Sequence, residues 1–111
     1  MSEEQIRKEL GEYIEKKMVE REAYLRREGK IKKGRKLSRT YMAKEVLGVS
    51  TTWFSGIING EYEANDEILI RIAQFLEIDE HELFRKARRV HPDILEKVKR
   101  EYLGEYYVPN L

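Results

Sequence analysis

The sequence predicts an all-α fold. Apolar residues recur every three to four positions along most of the chain, no segment alternates as a half-buried strand would, and helix-capping and helix-stopping residues bound the periodic segments. A length of 111 residues allows one domain with a single modest core, plus an appended helix.

The first helix is expected from Ser2 to about Glu28. Ile6, Leu10, Ile14, Met18 and Leu25, with Tyr13 and Val19 beside them, mark its apolar face, while Ser2, Glu3 and Glu4 suit an N-terminus. Gly29 to Lys36 has two glycines, five cations and only Ile31 to bury, which predicts a loop. Ser38 or Thr40 caps a second helix running to Leu47, with Tyr41, Met42, Val46 and Leu47 as its apolar face and Gly48 as its stop.

Thr51 to Asn59 forms the third helix, with Ser50 as N-cap and Asn59-Gly60 tolerating positive φ at its end. Phe54, Ile57 and Ile58 require burial. A fourth helix begins at Asn65 or Asp66 and carries Ile68, Ile72, Phe75 and Leu76; a fifth opens at Asp79 and carries Leu83 and Phe84. Pro92 sits in the first turn of a sixth, along which Ile94, Leu95, Val98 and Tyr102 continue at helical spacing. Tyr106 to Leu111 is expected to fray or pack as an extended tail. Tyr102, Tyr106 and Tyr107 with Val108 and Leu111 form an apolar cluster suited either to a dimer contact or to packing on the chain's own core.

Composition narrows the function classes. Charged residues are 39% and hydrophobic residues 41% of the chain, and no apolar run could span a bilayer. With no cysteine there are no disulfides or thiolate sites, and the start MSEEQIRKEL lacks the apolar core of a secretory signal, so a cytoplasmic location is expected. His81 and His91 stand too far from other ligand types in the sequence to suggest a metal, no nucleophile and base are paired, and neither enzyme chemistry nor a cofactor is expected.

Net charge is only +1, yet it is segregated. Arg26 to Lys44 holds Arg26, Arg27, Lys30, Lys32, Lys33, Arg35, Lys36, Arg39 and Lys44 against Glu28 alone, which is +8. Glu61 to Glu82 holds eight carboxylates against Arg71, which is −7. Such a dipole suits a molecule that presents one face to phosphates.

Met42 to Glu61 reads as a short helix, a turn at Gly48 and a second short helix with small polar residues on its free side. Thr51, Thr52, Ser55, Gly56 and Asn59 would let that helix enter a major groove about 12 Å wide and bring hydroxyls and an amide to base edges and phosphates. Thr51 and Thr52 also suit plain capping near a helix start, and Trp53 can either contact the groove or cap the core.

These segments resemble the Cro and lambda-repressor (XRE-like) helix-turn-helix regulators. Leu10-Gly11-Glu12-Tyr13-Ile14 looks like that family's first helix, Ala43 with Gly48-Val49-Ser50 its second helix and turn, Thr51 to Gly60 its recognition helix, and Ile68 to Phe84 its fourth and fifth helices. The loop before the second helix is longer and more basic than usual there, and Ala43 to Gly48 spans one residue more than the common pattern, as in Cut-type domains.

The resemblance implies a lambda-repressor-like five-helix DNA-binding domain over residues 1–88, with an extended first helix. Residues 89–111 would add a helix and tail serving as a dimerisation element. It further implies that Thr51, Thr52, Trp53, Ser55 and Gly56 face DNA with Asn59 at the end of the reading helix, and that Arg39 and Thr40 approach the backbone. Lys44 and the loop cations Lys32, Lys33, Arg35 and Lys36 would grip phosphate. The function implied is a sequence-specific transcriptional regulator, a repressor acting as a homodimer on double-stranded DNA. The alternative is an antitoxin or anti-repressor that uses the same fold to bind a protein partner.

Overall fold

Helix initiation follows the side chains that accept hydrogen bonds from the first free backbone N–H groups. In the computed structural model, which describes residues 2–108, Ser2 caps α1 (Glu3–Arg27), Ser38 caps α2 (Arg39–Tyr41), Ser50 caps α3 (Thr51–Ile58), Asn65 caps α4 (Asp66–Leu76), Asp79 caps α5 (Glu80–Lys86) and His91 caps α6 (Pro92–Leu103). A 3₁₀ turn, Gly104–Tyr106, follows α6. No strand occurs among the described residues, so the expected all-α class is observed.

The second helix differs from its expected form. Ser38, not Thr40, is its cap, and after Tyr41 the backbone widens into a π-helical segment, Met42–Leu47. The N–H groups of Gly48 and Val49 both donate to the Ala43 carbonyl, and Gly48 takes the left-handed φ of 69° that ends the segment. A π turn takes up one residue more than an α turn, so the segment reaches Gly48 in a wider coil than an α-helix would. Arg71 of α4 donates to the Leu47 carbonyl and closes this end.

The basic loop before α2 is pinned at several points. Ile31 and Leu37 are buried. The Tyr41 hydroxyl accepts from the Lys32 N–H and donates to the Lys30 carbonyl, Glu22 accepts from the Leu37 N–H at 2.7 Å, and Arg26 donates to the Arg35 carbonyl.

The core joins Leu10, Ile14, Met18 and Leu25 of α1 to Phe54, Ile57 and Ile58 of α3, Leu69, Ile72 and Leu76 of α4, and Leu83 and Phe84 of α5. Val19, expected beside the α1 stripe, is 76% exposed, because one step beyond Met18 turns it about 100° away from the buried face. Arginines of α1 also close the ends of other helices. Arg7 donates to the Gly60 carbonyl at 3.0 Å and Arg21 to the Leu76 carbonyl at 2.9 Å.

The C-terminal elements do not pack on this core. No residue of α6 is buried, Val98 is 52% and Tyr102 87% exposed, and Tyr106 and Val108 are also exposed. Of the expected tail, Tyr106 closes the 3₁₀ turn that Gly104 opens, while Tyr107 is extended and half-buried beneath the Arg100 guanidinium. Leu111 of the expected cluster lies outside the described residues.

The tightest interhelical approach is at Gly11, where a Cβ would lie 1.8 Å from the Ile58 carbonyl oxygen. Intrinsic propensity favours alanine over glycine within a helix by about 1 kcal/mol. Gly11→Ala is nevertheless expected to destabilise the protein by about 1–3 kcal/mol through overpacking against backbone. Urea unfolding monitored by circular dichroism measures the sign.

Candidate nucleic-acid interface

Burial divides α3 into two faces. Ser50 Oγ accepts from the Trp53 N–H at 3.0 Å and starts the helix, and the Phe54, Ile57 and Ile58 side chains enter the core. Thr51, Ser55 and Asn59 then recur at i, i+4 and i+8 on the opposite side, with Thr52 beside them. Thr52 and Asn59 are exposed, while Thr51 and Ser55 are half-buried and remain accessible. Trp53 is half-buried and packs against the core edge, which favours the core-capping alternative.

Gly56 is not on the free face, which corrects the expectation that it faces outward. It is buried, and a Cβ there would lie 2.2 Å from the Tyr62 ring. The physical cause is the turn after α3. Glu61 and Tyr62 both donate their N–H groups to the Gly56 carbonyl, at 2.7 and 3.2 Å, which folds the Tyr62 ring across the glycine. Tyr62 itself stays about half exposed beside the helix and was not singled out from sequence; a glycine in mid-helix is the signal that something approaches closely.

Arg39 bridges α1, α2 and the end of α3. Its Nε donates to Glu15 at 2.8 Å and its Nη1 to Asn59 Oδ1 at 3.2 Å, and the Glu15 hydrogen bond pushes its already high pKa further up. The bridge holds the Asn59 amide at the C-terminal end of the free face. Thr40 and Lys44 are exposed on the second helix.

All four of Lys32, Lys33, Arg35 and Lys36 are exposed. Lys32 pairs with Glu45 at 2.8 Å and Arg35 lies 3.9 Å from the same carboxylate, so a single Glu of the π segment anchors two of the four cations. Lys33 and Lys36 make no ion pair among the described residues. Part of the acidic segment is neutralised internally, by Lys30 with Glu77, Arg71 with Glu67, and Arg89 with Asp66.

The histidines are closer to other ligand types than their sequence spacing suggests, which corrects that expectation. One potential ligand atom from each of His81, His91 and Asp93 lies within 4.8 Å of the others. Arg88 takes a left-handed φ of 57° after α5, and the chain turns so that the His91 ring lies 4.4 Å from that of His81 and 4.7 Å from Phe84.

No helix of the described residues is long and apolar enough to cross a membrane. Comparison of the chain with protein-family models, with curated proteins and with solved structures returns no match in any of the three.

The Lys32 hydrogen bond, followed by its charge, holds the Glu45 carboxyl below its ordinary value. Lys32→Gln should therefore raise the Glu45 pKa toward that of a free glutamate. A carboxyl-carbon NMR titration resolves the shift.

Proposed function

We propose that the protein is a sequence-specific double-stranded DNA-binding regulator of the lambda-repressor-like, helix-turn-helix class, acting by occupying an operator and requiring no chemistry of its own. The observation that carries this reading is the composition of the α3 free face. A merely solvated helix face usually carries Lys and Glu, whereas Thr51, Thr52, Ser55 and Asn59 give a slim, neutral surface of hydroxyls and one amide. An amide with hydroxyls beside it can exchange hydrogen bonds with base edges, and an uncharged face tolerates the desolvation that groove entry requires.

Such a helix lacks its own grip on phosphate. Within the basic segment Arg27, Lys33, Lys36 and Lys44 are exposed and make no ion pair among the described residues, and Thr40 can add a hydroxyl to phosphate. Lys32 and Arg35 reach phosphate only by sharing or leaving Glu45, which tempers non-specific affinity. Arg39 acts in this account as a brace that sets Asn59 rather than as a free phosphate ligand.

The second element of the proposal is a homodimer formed through α6. An isolated helix of 12 residues is marginal in water, yet this one keeps Ile94, Leu95, Val98 and Tyr102 on one uncovered stripe. Pairing with a second copy buries the stripe and matches the two-fold symmetry of a palindromic site. The same stripe supports the second reading, an antitoxin or anti-repressor that docks a different protein there.

Selection from a random duplex pool at two salt concentrations tests the reading. A single enriched motif and binding that falls steeply with salt are expected. Thr52→Glu should abolish enrichment while leaving helical circular dichroism unchanged, since the side chain is exposed. Absence of any enriched motif together with a flat salt response would falsify duplex reading.

Val98→Glu is expected to convert a dimer to a monomer in sedimentation equilibrium without loss of the folded core. A wild-type chain that is already monomeric at high concentration removes the homodimer and favours the heterologous partner.

A further inference from the structure

The geometry points to a divalent transition-metal site, of the zinc-binding kind, at the junction of α5 and α6, with His81, His91 and Asp93 as ligands. The His91 ring is 4% exposed, and its Nδ1 accepts the Asp93 N–H at 3.1 Å as the cap of α6. An accepting Nδ1 carries a lone pair, so the proton of the neutral ring resides on Nε2. A metal would take this same lone pair in place of the Asp93 N–H, which at the exposed start of α6 can turn to water, and Asp93 Oδ2 already lies 3.7 Å from Nδ1.

Oxygen and nitrogen ligands sharing one tetrahedral zinc at bond lengths of about 2.0–2.1 Å stand roughly 3.3 Å apart. The widest separation in the triad is at most 4.8 Å, a gap that side-chain rotation of His81 and Asp93 can close. His81 is half-buried and Asp93 exposed, so both can turn, and a water can take the fourth position. Two imidazoles with one carboxylate suit zinc and its neighbours in the first transition series rather than magnesium or calcium, which take oxygen shells.

The surroundings supply the outer support that metal-bound histidines use. The buried Nε2 has no hydrogen-bond partner, and Glu80 Oε2 stands 3.4 Å from it. The other Glu80 oxygen accepts from Gln74 Nε2 at 3.3 Å, which orients the carboxylate toward the ring. Metal on Nδ1 acidifies Nε2–H and strengthens its attraction to Glu80, relieving a polar group that is otherwise costly to leave unpaired. An ion here ties the start of α6 to α5 and fixes the direction in which the uncovered α6 stripe projects.

Tag-free full-length protein, stripped with chelator, is titrated with Co²⁺ and then Zn²⁺ in the absence of DNA, so the outcome is independent of duplex reading. One equivalent of Co²⁺ should give the visible absorption of a low-coordinate site, and Zn²⁺ should displace it stoichiometrically. His81→Ala and Asp93→Ala, which leave the buried His91 in place, should each weaken binding more than tenfold with unchanged circular dichroism, and Glu80→Gln should weaken it about tenfold. Absent or non-saturating Co²⁺ absorption, or binding that survives both triad substitutions at wild-type strength, overturns the site.

Discussion

The arrangement of this protein rests on the contact between the backbones of α1 and the end of α3. Gly11 faces the Ile58 carbonyl with no room for a methyl group, and Gly60 meets α1 one turn earlier, where a Cβ would lie 2.7 Å from Lys8 Cγ and 2.9 Å from its backbone nitrogen. Arg7 then donates to the Gly60 carbonyl. This triple contact seats the C-terminal end of α3 on the first half of α1. Once that end is seated and Phe54, Ile57 and Ile58 are buried, the helical period leaves Thr51, Thr52, Ser55 and Asn59 outward.

The second helix serves the same geometry. It delivers the chain to Ser50 through a π segment, whose turn takes up one residue more than an α turn before Gly48 reverses the backbone. Its outward Glu45 holds two loop cations, while Arg39 at its start holds Asn59, so one short element sets both the charged loop and the amide of α3. Local charge pairing and helix registry are therefore coupled here.

Much of this was legible in the sequence because it is local. Ser2, Ser50 and Asp79 accept the backbone N–H groups their positions imply, and Asn65 does so as one of two expected starts; the three-to-four spacing of Leu10, Ile14 and Met18 marks a buried face directly. What was not legible depends on where the chain goes after an element ends. Tyr62 covers Gly56 only because the next turn folds back, and His91 reaches His81 only because Arg88 adopts a left-handed conformation. Periodicity reveals that α6 has an apolar face but carries no information on what covers it. Hydrogen-bond chemistry likewise distinguishes Ser38 from Thr40 as a cap only when the path of the loop is known.

Under the proposed function the free face of α3 and the adjoining basic segment contact double-stranded DNA. Amide NMR of the labelled protein, titrated with duplex at low salt, tests it residue by residue. Shifts concentrated at Thr51, Thr52, Ser55 and Asn59 and at residues 32–44 are expected. Shifts confined to the acidic helices α4 and α5, or no shifts at saturating duplex, would contradict it.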